Sequence, residues 1–218
     1  MVRRPVVPAA PYHHGDLRRA LMDEALRQTA ARGIGGWSLR EVAAAVGVSH
    51  AAPYHHFRDR AGLVAALAHD GLDRMDALMA QRQRAAGDDP VEQLLAIGHA
   101  YVTFAVDHPD YYAAIIAPTA SPDSEPGGAP EGDGGPTWQR LITAVTACQR
   151  ASRLPGVDPI IIAVNLWSLV HGLAELWRMG PLRLLPQAAD GLGPLADRVL
   201  RATVASRNAV TLRKRVRR

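Results

Sequence analysis

The chain has 218 residues, one cysteine and a net charge of +4; 48% of its residues are hydrophobic but only 5% are aromatic. A single cysteine excludes an internal disulfide and suits a reducing compartment such as the cytoplasm. A core built mostly from alanine, leucine, valine and isoleucine favours helices over sheets, so we expect an all-α protein.

No segment is expected to enter a membrane. Three prolines within the first eleven residues prevent the apolar core of a signal peptide. The longest apolar run, residues 160–174, is interrupted by Asn165, Ser168 and His171 and is predicted to fall short of a membrane span. We therefore expect a cytoplasmic protein.

Charge is distributed unevenly along the chain. Residues 1–62 hold nine arginines and five acidic residues, and residues 63–207 hold eleven arginines and sixteen acidic residues. Residues 208–218 hold five basic residues and no acidic one. A basic end of this kind suits binding to the phosphates of nucleic acid.

Residues 38–57, SLREVAAAVGVSHAAPYHHF, are predicted to form a helix-turn-helix, which places its second helix in the major groove of DNA. Ser38 and Glu41 have the spacing of a capping box, so the first helix is expected to begin there. Gly47 is expected to end that helix, because glycine adopts a positive φ at little cost.

The second helix of the motif contains an irregularity. Ser49 is predicted to cap a short helix over about residues 50–56. Pro53 removes a backbone N–H near the fourth position. We expect the helix to survive this loss, because the first N–H groups of a helix have no intrahelical partner.

Seven further helices are predicted from apolar periodicity and capping residues, which gives about nine in total. They span residues 16–32, 60–84, 91–106, 111–116, 137–152, 158–179 and 194–207. Asp59, Asp89 and Asp158 are the predicted N-caps of the second, third and sixth of these helices. Residues 118–136 hold five prolines, five glycines and four acidic residues. We interpret them as a disordered loop, with a ligand lid as the alternative.

The helix-turn-helix residues resemble the pattern of the tetracycline-repressor (TetR) family of transcriptional regulators over about residues 12–67. The matching residues are Ser38, Val42, Ala43, Gly47, Val48, Ser49, Tyr54, Phe57, Arg60 and Leu63. The sequence departs from the family pattern at Pro53, where leucine is frequent, and at Ala51 and Ala52, where glycine and threonine are frequent.

The resemblance implies a homodimer that binds palindromic double-stranded operator DNA. Residues 12–60 would form the DNA-binding head, and residues 61–207 a helical body that dimerises and holds a small-molecule effector. Residues 1–11 and 208–218 are expected to be flexible tails. We expect a repressor that the effector releases from DNA, through a tilt of the helix that joins head to body.

The resemblance and the motif geometry together give a set of residues expected to contact DNA. The set is Ser38, Arg40, Ser49, His50, Ala51, Ala52, Tyr54, His55 and Arg60. The two serines, the tyrosine and Arg60 would mainly hold phosphates and fix the register on the duplex. His50 is expected to read a base edge, and the two alanines to touch thymine methyl groups.

A second candidate site is an effector pocket in the body. Trp167, His171 and Glu175 recur every four residues and share one helix face. With Gly172, the first two resemble a TetR C-terminal type named for Trp, His and Gly. The predicted pocket residues are His99, Phe104, Tyr111, Trp138, Trp167, His171 and Glu175. Packing in the core or against a dimer partner is the alternative for each of them.

Metal sites, cofactors and catalysis are not expected. The pairs His13-His14 and His55-His56 are adjacent in sequence, so their members do not share a helix face, and no metal-ligand spacing accompanies them. No phosphate-binding glycine loop, dinucleotide-binding pattern or nucleophile motif occurs. Two alternatives to a regulator stay open: a ligand-binding protein that no longer reads DNA, and a helical enzyme that uses the pocket.

Overall fold

The computed structural model describes residues 17–117 and 135–216, and it describes side chains as far as residue 206. The predicted N-terminal tail and most of the predicted disordered loop, residues 118–134, lie outside this part of the chain.

Eight α-helices and three short 3₁₀ helices make up the described residues, among which no strand occurs. The α-helices are α1 (Leu17–Arg32), α2 (Leu39–Val46), α3 (Arg60–Ala85), α4 (Pro90–Asp107), α5 (Pro109–Ile115), α6 (Gly135–Arg150), α7 (Pro159–Met179) and α8 (Leu192–Val216). The 3₁₀ helices are Ala52–His55, Pro181–Leu184 and Pro186–Ala188. The all-α prediction is therefore confirmed.

The head consists of α1, α2 and the first 3₁₀ helix, packed around one apolar core. The side chains of Leu21, Val42, Pro53 and Phe57 are buried there. Trp37 is also buried, and its indole N–H donates to the Thr29 hydroxyl at 2.8 Å, which satisfies a donor that would otherwise be costly to bury.

Both ends of α2 follow the predicted capping chemistry. The Glu41 backbone N–H donates to the Ser38 hydroxyl at 3.2 Å, and the Ser38 backbone N–H donates to the Glu41 carboxylate at 2.7 Å. At the other end Gly47 has a φ of 83°, and its N–H returns to the last turn of the helix. These local bonds pair backbone groups that a helix end leaves open.

The second helix of the motif differs from its prediction. It is a 3₁₀ helix over residues 52–55 rather than an α-helix over residues 50–56, and Ser49 does not cap it with its side chain. An α-helix capped there would need the N–H of residue 53 to donate to the Ser49 carbonyl, and Pro53 has none. The Ala52 N–H donates to that carbonyl instead, at 3.0 Å, which produces the tighter 3₁₀ turn.

The body is arranged around α4, which contacts α3, α5, α6, α7 and α8. Asp59, Asp89 and Asp158 begin α3, α4 and α7 as predicted. Each carboxylate accepts a backbone N–H two or three residues later, at 2.8, 2.7 and 2.9 Å respectively. α3 is 26 residues long, begins in the head and continues through the body.

The last helix is longer than predicted. α8 extends to Val216, so residues 208–216 continue a helix where a flexible tail was expected. The sequence after Pro194 contains no glycine or proline and is rich in arginine, alanine and leucine, which favour helix formation.

α7 also corrects an expectation. By length and composition it is apolar enough to cross a membrane, despite its polar interruptions. However, it packs against α4, α6 and α8, and Ile162, Ala163 and Leu173 on one side are buried. One side of α7 therefore packs into the core of the body.

The two motif serines provide a direct check of this fold. Ser38→Ala should lower the free energy of unfolding by about 1 kcal/mol, because it removes the side-chain half of a capping box. Ser49→Ala should change it by less than about 0.5 kcal/mol, as expected for an exposed residue without a capping bond. Urea denaturation measures both values. Equal losses would show that Ser49 also caps a helix.

Candidate functional site

The head presents the predicted DNA-contacting residues mostly on its surface. Six of the nine are exposed: Arg40, Ser49, His50, Ala51, Tyr54 and His55. Ser38 and Ala52 are half-buried, and Tyr54 is 53% exposed although it is a large aromatic residue. The loop and the 3₁₀ helix therefore place the side chains of two histidines and one tyrosine on the surface within a segment of seven residues.

Arg60 makes several contacts within the head. Its guanidinium Nε donates to the Trp37 carbonyl at 3.0 Å, and a second nitrogen donates to the Ile34 carbonyl. The same group stacks over the Trp37 ring, 4.5 Å from its centroid. These contacts fix the start of α3 to the head, and the phosphate contact of Arg60 stays a prediction.

Arg58 was not among the predicted residues, but it is exposed in the segment between the 3₁₀ helix and α3. It is the nearest arginine in sequence to the exposed 49–55 segment. The family pattern includes Arg60 and not Arg58, so the sequence alone did not indicate Arg58. Because Arg60 makes contacts within the head, Arg58 is the better candidate for a phosphate contact.

The body contains a cavity of about 750 Å³ that is bounded by residues of α3 to α8. Its lining is mainly aliphatic and includes Leu72, Met75, Leu95, Ile97, Leu141 and Leu200. Gly98 also lines it, and a Cβ there would lie 3.0 Å from a methyl group of Leu200. The cavity is within the usual size range of pockets that hold a small molecule.

Four of the seven predicted pocket residues line this cavity: Trp138, Trp167, His171 and Glu175. Tyr101, which was not in the predicted set, also lines it. The spacing of Trp167, His171 and Glu175 correctly indicated a shared helix face. The rings of Trp138 and Trp167 meet edge to face with their centroids 6.3 Å apart, which joins α6 to α7 at the wall.

The other three predicted residues do not line the cavity. His99 turns to α8, where its Nε2 lies 3.3 Å from an Asp197 carboxylate oxygen, and burial lowers its pKa. Phe104 is buried with its ring centroid 4.9 Å from that of His108. Tyr111 lies at the junction of head and body. Contacts with neighbouring helices determine the orientations of these three side chains, and sequence spacing alone does not specify them.

Tyr101 and His171 of the cavity wall form a polar cluster with Tyr112, which is fully buried and is not among the lining residues. The His171 Nδ1 lies 3.1 Å from the Tyr101 hydroxyl and 3.2 Å from the Tyr112 hydroxyl, and the two hydroxyls are 3.5 Å apart. Burial raises the pKa of both tyrosines, so both remain protonated at neutral pH. Each hydroxyl can therefore donate to the imidazole, and that of Tyr101 can also donate to a molecule in the cavity.

Glu175 is the one acidic residue among the described residues that line the cavity, and no arginine or lysine is among them. The guanidinium of Arg178 donates to both of its oxygens, at 2.7 and 3.1 Å. These hydrogen bonds outweigh burial and hold the pKa of Glu175 below its usual value. The carboxylate is thus ionised and already paired.

A cluster around Asp70 of α3 connects the head to the body. Tyr111 of α5 donates its hydroxyl to the Asp70 carboxylate at 2.6 Å, and the guanidinium groups of Arg19 in α1 and Arg74 in α3 lie 3.2 and 3.3 Å from the same oxygen. Burial acts to raise the pKa of Asp70, but the tyrosine bond and the two arginines together lower it.

The same junction brings α3 and α5 very close together. A Cβ added at Gly71 would lie 3.1 Å from the Ile115 side chain and 3.2 Å from the Tyr111 ring. Ile115 also lines the cavity. One face of α5 therefore contacts the cavity while Tyr111 of the same helix bonds the Asp70 cluster.

Two family models match the sequence and together cover most of the described chain. Residues 21–67 match the model described as bacterial regulatory proteins, tetR family. Residues 94–203 match the model described as tetracyclin repressor-like, C-terminal domain. The resemblance to the narrower Trp-His-Gly type stays a prediction.

Solved structures share the fold over nearly the whole chain. A protein with unknown function from Rhodococcus sp. RHA1 is 31% identical, with a TM-score of 0.74 over 92% of this chain and 98% of that one. A putative transcriptional regulator from Pseudomonas aeruginosa PAO1 is 20% identical, with a TM-score of 0.70 over 93% and 95%.

A third similar structure is that of AibR in complex with isovaleryl coenzyme A and operator DNA. It is 21% identical, with a TM-score of 0.61 over 84% of this chain and 95% of that one. At this identity the likeness concerns the fold. No curated protein matches the sequence.

Proposed function

The chain belongs to the TetR family of transcriptional regulators, and from that premise we propose that it is a cytoplasmic repressor. As a homodimer it binds palindromic operator DNA, and a small molecule in the body cavity releases it. The observation that carries the proposal is that α3 begins in the DNA-binding head and lines the cavity with Leu72, Met75 and Met79.

The exposed segment from Ser49 to His55 is the proposed DNA-reading surface. His50 can donate to or accept from a base edge, whereas the hydroxyl of Tyr54 suits a phosphate. Arg58 supplies a positive charge beside them and is fully available to a phosphate, whereas Arg60 also bonds the head. The short 3₁₀ helix limits the number of base contacts in each head, so tight binding requires two heads on one DNA site.

The outer face of α7 supports the proposed dimer. Ile161 is 61% exposed and Met179 is 69% exposed, and Leu176 lies exposed between them. Within this stretch a Cβ at Gly172 would meet no atom within 4 Å, so a second helix could approach closely. An apolar face of this kind suits an interface that is the same on both subunits.

The Asp70 cluster supports a route from cavity to head. A ligand that displaces Ile115 would move α5, and with it the Tyr111 hydroxyl that bonds Asp70 of α3. A tilt of α3 would change the separation of the two heads, which must be about 34–36 Å to enter successive major grooves. The coupling needed is about 1–3 kcal/mol, or five- to 150-fold in affinity.

Substitutions in the head distinguish base reading from phosphate binding. On the best sequence selected from a randomised DNA library, His50→Ala should lose about 1–3 kcal/mol and relax the preference at one base pair in each half-site. Arg58→Ala should weaken binding to all sequences and reduce the slope of log affinity against log salt by about 1 for each head.

Arg84→Ala is the matched control for Arg58→Ala, because Arg84 is also exposed but lies at the far end of α3. It should leave both affinity and salt slope unchanged. The proposal fails if the wild-type protein selects no sequence from the library. A uniform loss across all sequences for His50→Ala would show that His50 does not read a base.

Substitutions on α7 test the dimer. Ile161→Asp should shift the protein from dimer to monomer in light scattering at micromolar concentration, because it places a charge in an apolar interface. Val106→Asp is the control, since Val106 is an exposed apolar residue of α4 away from this face. A monomeric wild-type protein, both with and without DNA, would contradict the proposed assembly.

A further inference from the structure

We propose that the effector is an uncharged amphiphile: an aliphatic body with a hydroxyl or carbonyl group at one end. This inference rests on the proposed function, because it names the chemical class of the ligand for the same cavity. Its test measures ligand binding in the absence of DNA, so it can fail or succeed separately from the repressor assignment.

The aliphatic part of the ligand follows from the walls of the cavity. Leucine, isoleucine, valine and methionine side chains from α3, α4, α7 and α8 provide most of the lining. An apolar ligand group that leaves water for such a surface gains free energy in proportion to its area. At about 0.8 kcal/mol for each buried methylene, each added CH₂ should tighten binding about fourfold.

The lining excludes an anionic group. No arginine or lysine is among the described residues that line the cavity. Arg178, which lies next to it, already donates to both oxygens of Glu175. A carboxylate or phosphate placed among these walls would lose its hydration without gaining a charged partner, and this is strongly unfavourable.

The lining also disfavours a cationic group. Glu175 is the only negative charge on the described walls, and Arg178 neutralises it at 2.7 Å. A ligand cation would have to compete with that guanidinium for the same two oxygens. An uncharged ligand needs neither partner.

The polar group of the ligand is indicated by the Tyr101, Tyr112 and His171 cluster. Two hydroxyls lie within 3.2 Å of the His171 Nδ1, and either of them can donate to it. When Nδ1 accepts such a bond, the ring proton is on Nε2, which is then a donor. Tyr101 and His171 both line the cavity and can together bind one hydroxyl or carbonyl oxygen.

Three probes with the same alkyl chain separate these possibilities: decan-1-ol, decanoate and decyltrimethylammonium. Titration calorimetry on the full-length protein at pH 7.5, without DNA, should show that decan-1-ol binds at least tenfold more tightly than either charged probe. Octan-1-ol, two methylenes shorter, should bind about sixteenfold more weakly than decan-1-ol. Trp138 and Trp167 on the cavity wall provide a second readout through their fluorescence.

Variants locate the binding in the cavity. Leu141→Trp and Val164→Trp each place a large ring on the wall and should abolish decan-1-ol binding. Val164 is partly exposed, so its substitution should disturb the fold less than that of Leu141. Val106→Trp, on an exposed part of α4, is the control and should bind normally. Tyr101→Phe should weaken decan-1-ol about tenfold by removing one hydroxyl.

Each alternative result overturns the proposal in a recognisable way. Decanoate or the ammonium probe binding as tightly as decan-1-ol would show that charge is not selected against. Failure of all three probes to bind, or unchanged binding in both tryptophan variants, would remove the cavity as the site. Neither result would bear on whether the head binds DNA.

Discussion

The bond between the Tyr111 hydroxyl and the Asp70 carboxylate is the interaction on which the arrangement of head and body depends. Asp70 is partly buried, so its charge needs partners, and it finds them on three helices: Tyr111 of α5, Arg19 of α1 and Arg74 of α3. Loss of one partner would leave a charge poorly compensated where α1, α3 and α5 meet. Breaking the Tyr111–Asp70 bond would therefore cost free energy. If α5 moves, we expect α3 to move with it so that the bond is kept.

The body also contains a cavity that protein side chains do not fill. A cavity of about 750 Å³ with mostly aliphatic walls is a cost to the folded protein, because its lining side chains lack the contacts that close packing would supply. A ligand that fills the space restores those contacts. Such a ligand would also contact Ile115 of α5, one turn of helix from Tyr111, and would thereby link the stability of the body to the position of the head.

Local chemistry made much of the fold predictable. The capping box at Ser38, the positive φ of Gly47 and the aspartate caps of α3, α4 and α7 depend on residues within three positions of each other, and each was confirmed. The cavity was predictable only in part, since helix periodicity placed Trp167, His171 and Glu175 on one face but could not orient His99 or Tyr111. Asp70 is one of three aspartates of α3, with Asp73 and Asp76, and their spacing in the sequence does not show which of them meets α5. The 3₁₀ helix at Pro53 could not be predicted from capping residues alone, because its form depends on which backbone N–H donates to the Ser49 carbonyl.

The most direct measurement compares the coupling between cavity and DNA in the wild-type protein and in Tyr111→Phe. The affinity for the selected operator is measured with and without saturating decan-1-ol, and the affinity for decan-1-ol with and without operator. In the wild-type protein, operator DNA and decan-1-ol should each weaken the binding of the other by the same factor, between about five- and 150-fold. In Tyr111→Phe that factor should fall towards one while decan-1-ol still binds. An equal factor in both proteins, or no coupling in the wild-type protein, would contradict the claim that Asp70 and Tyr111 transmit the signal.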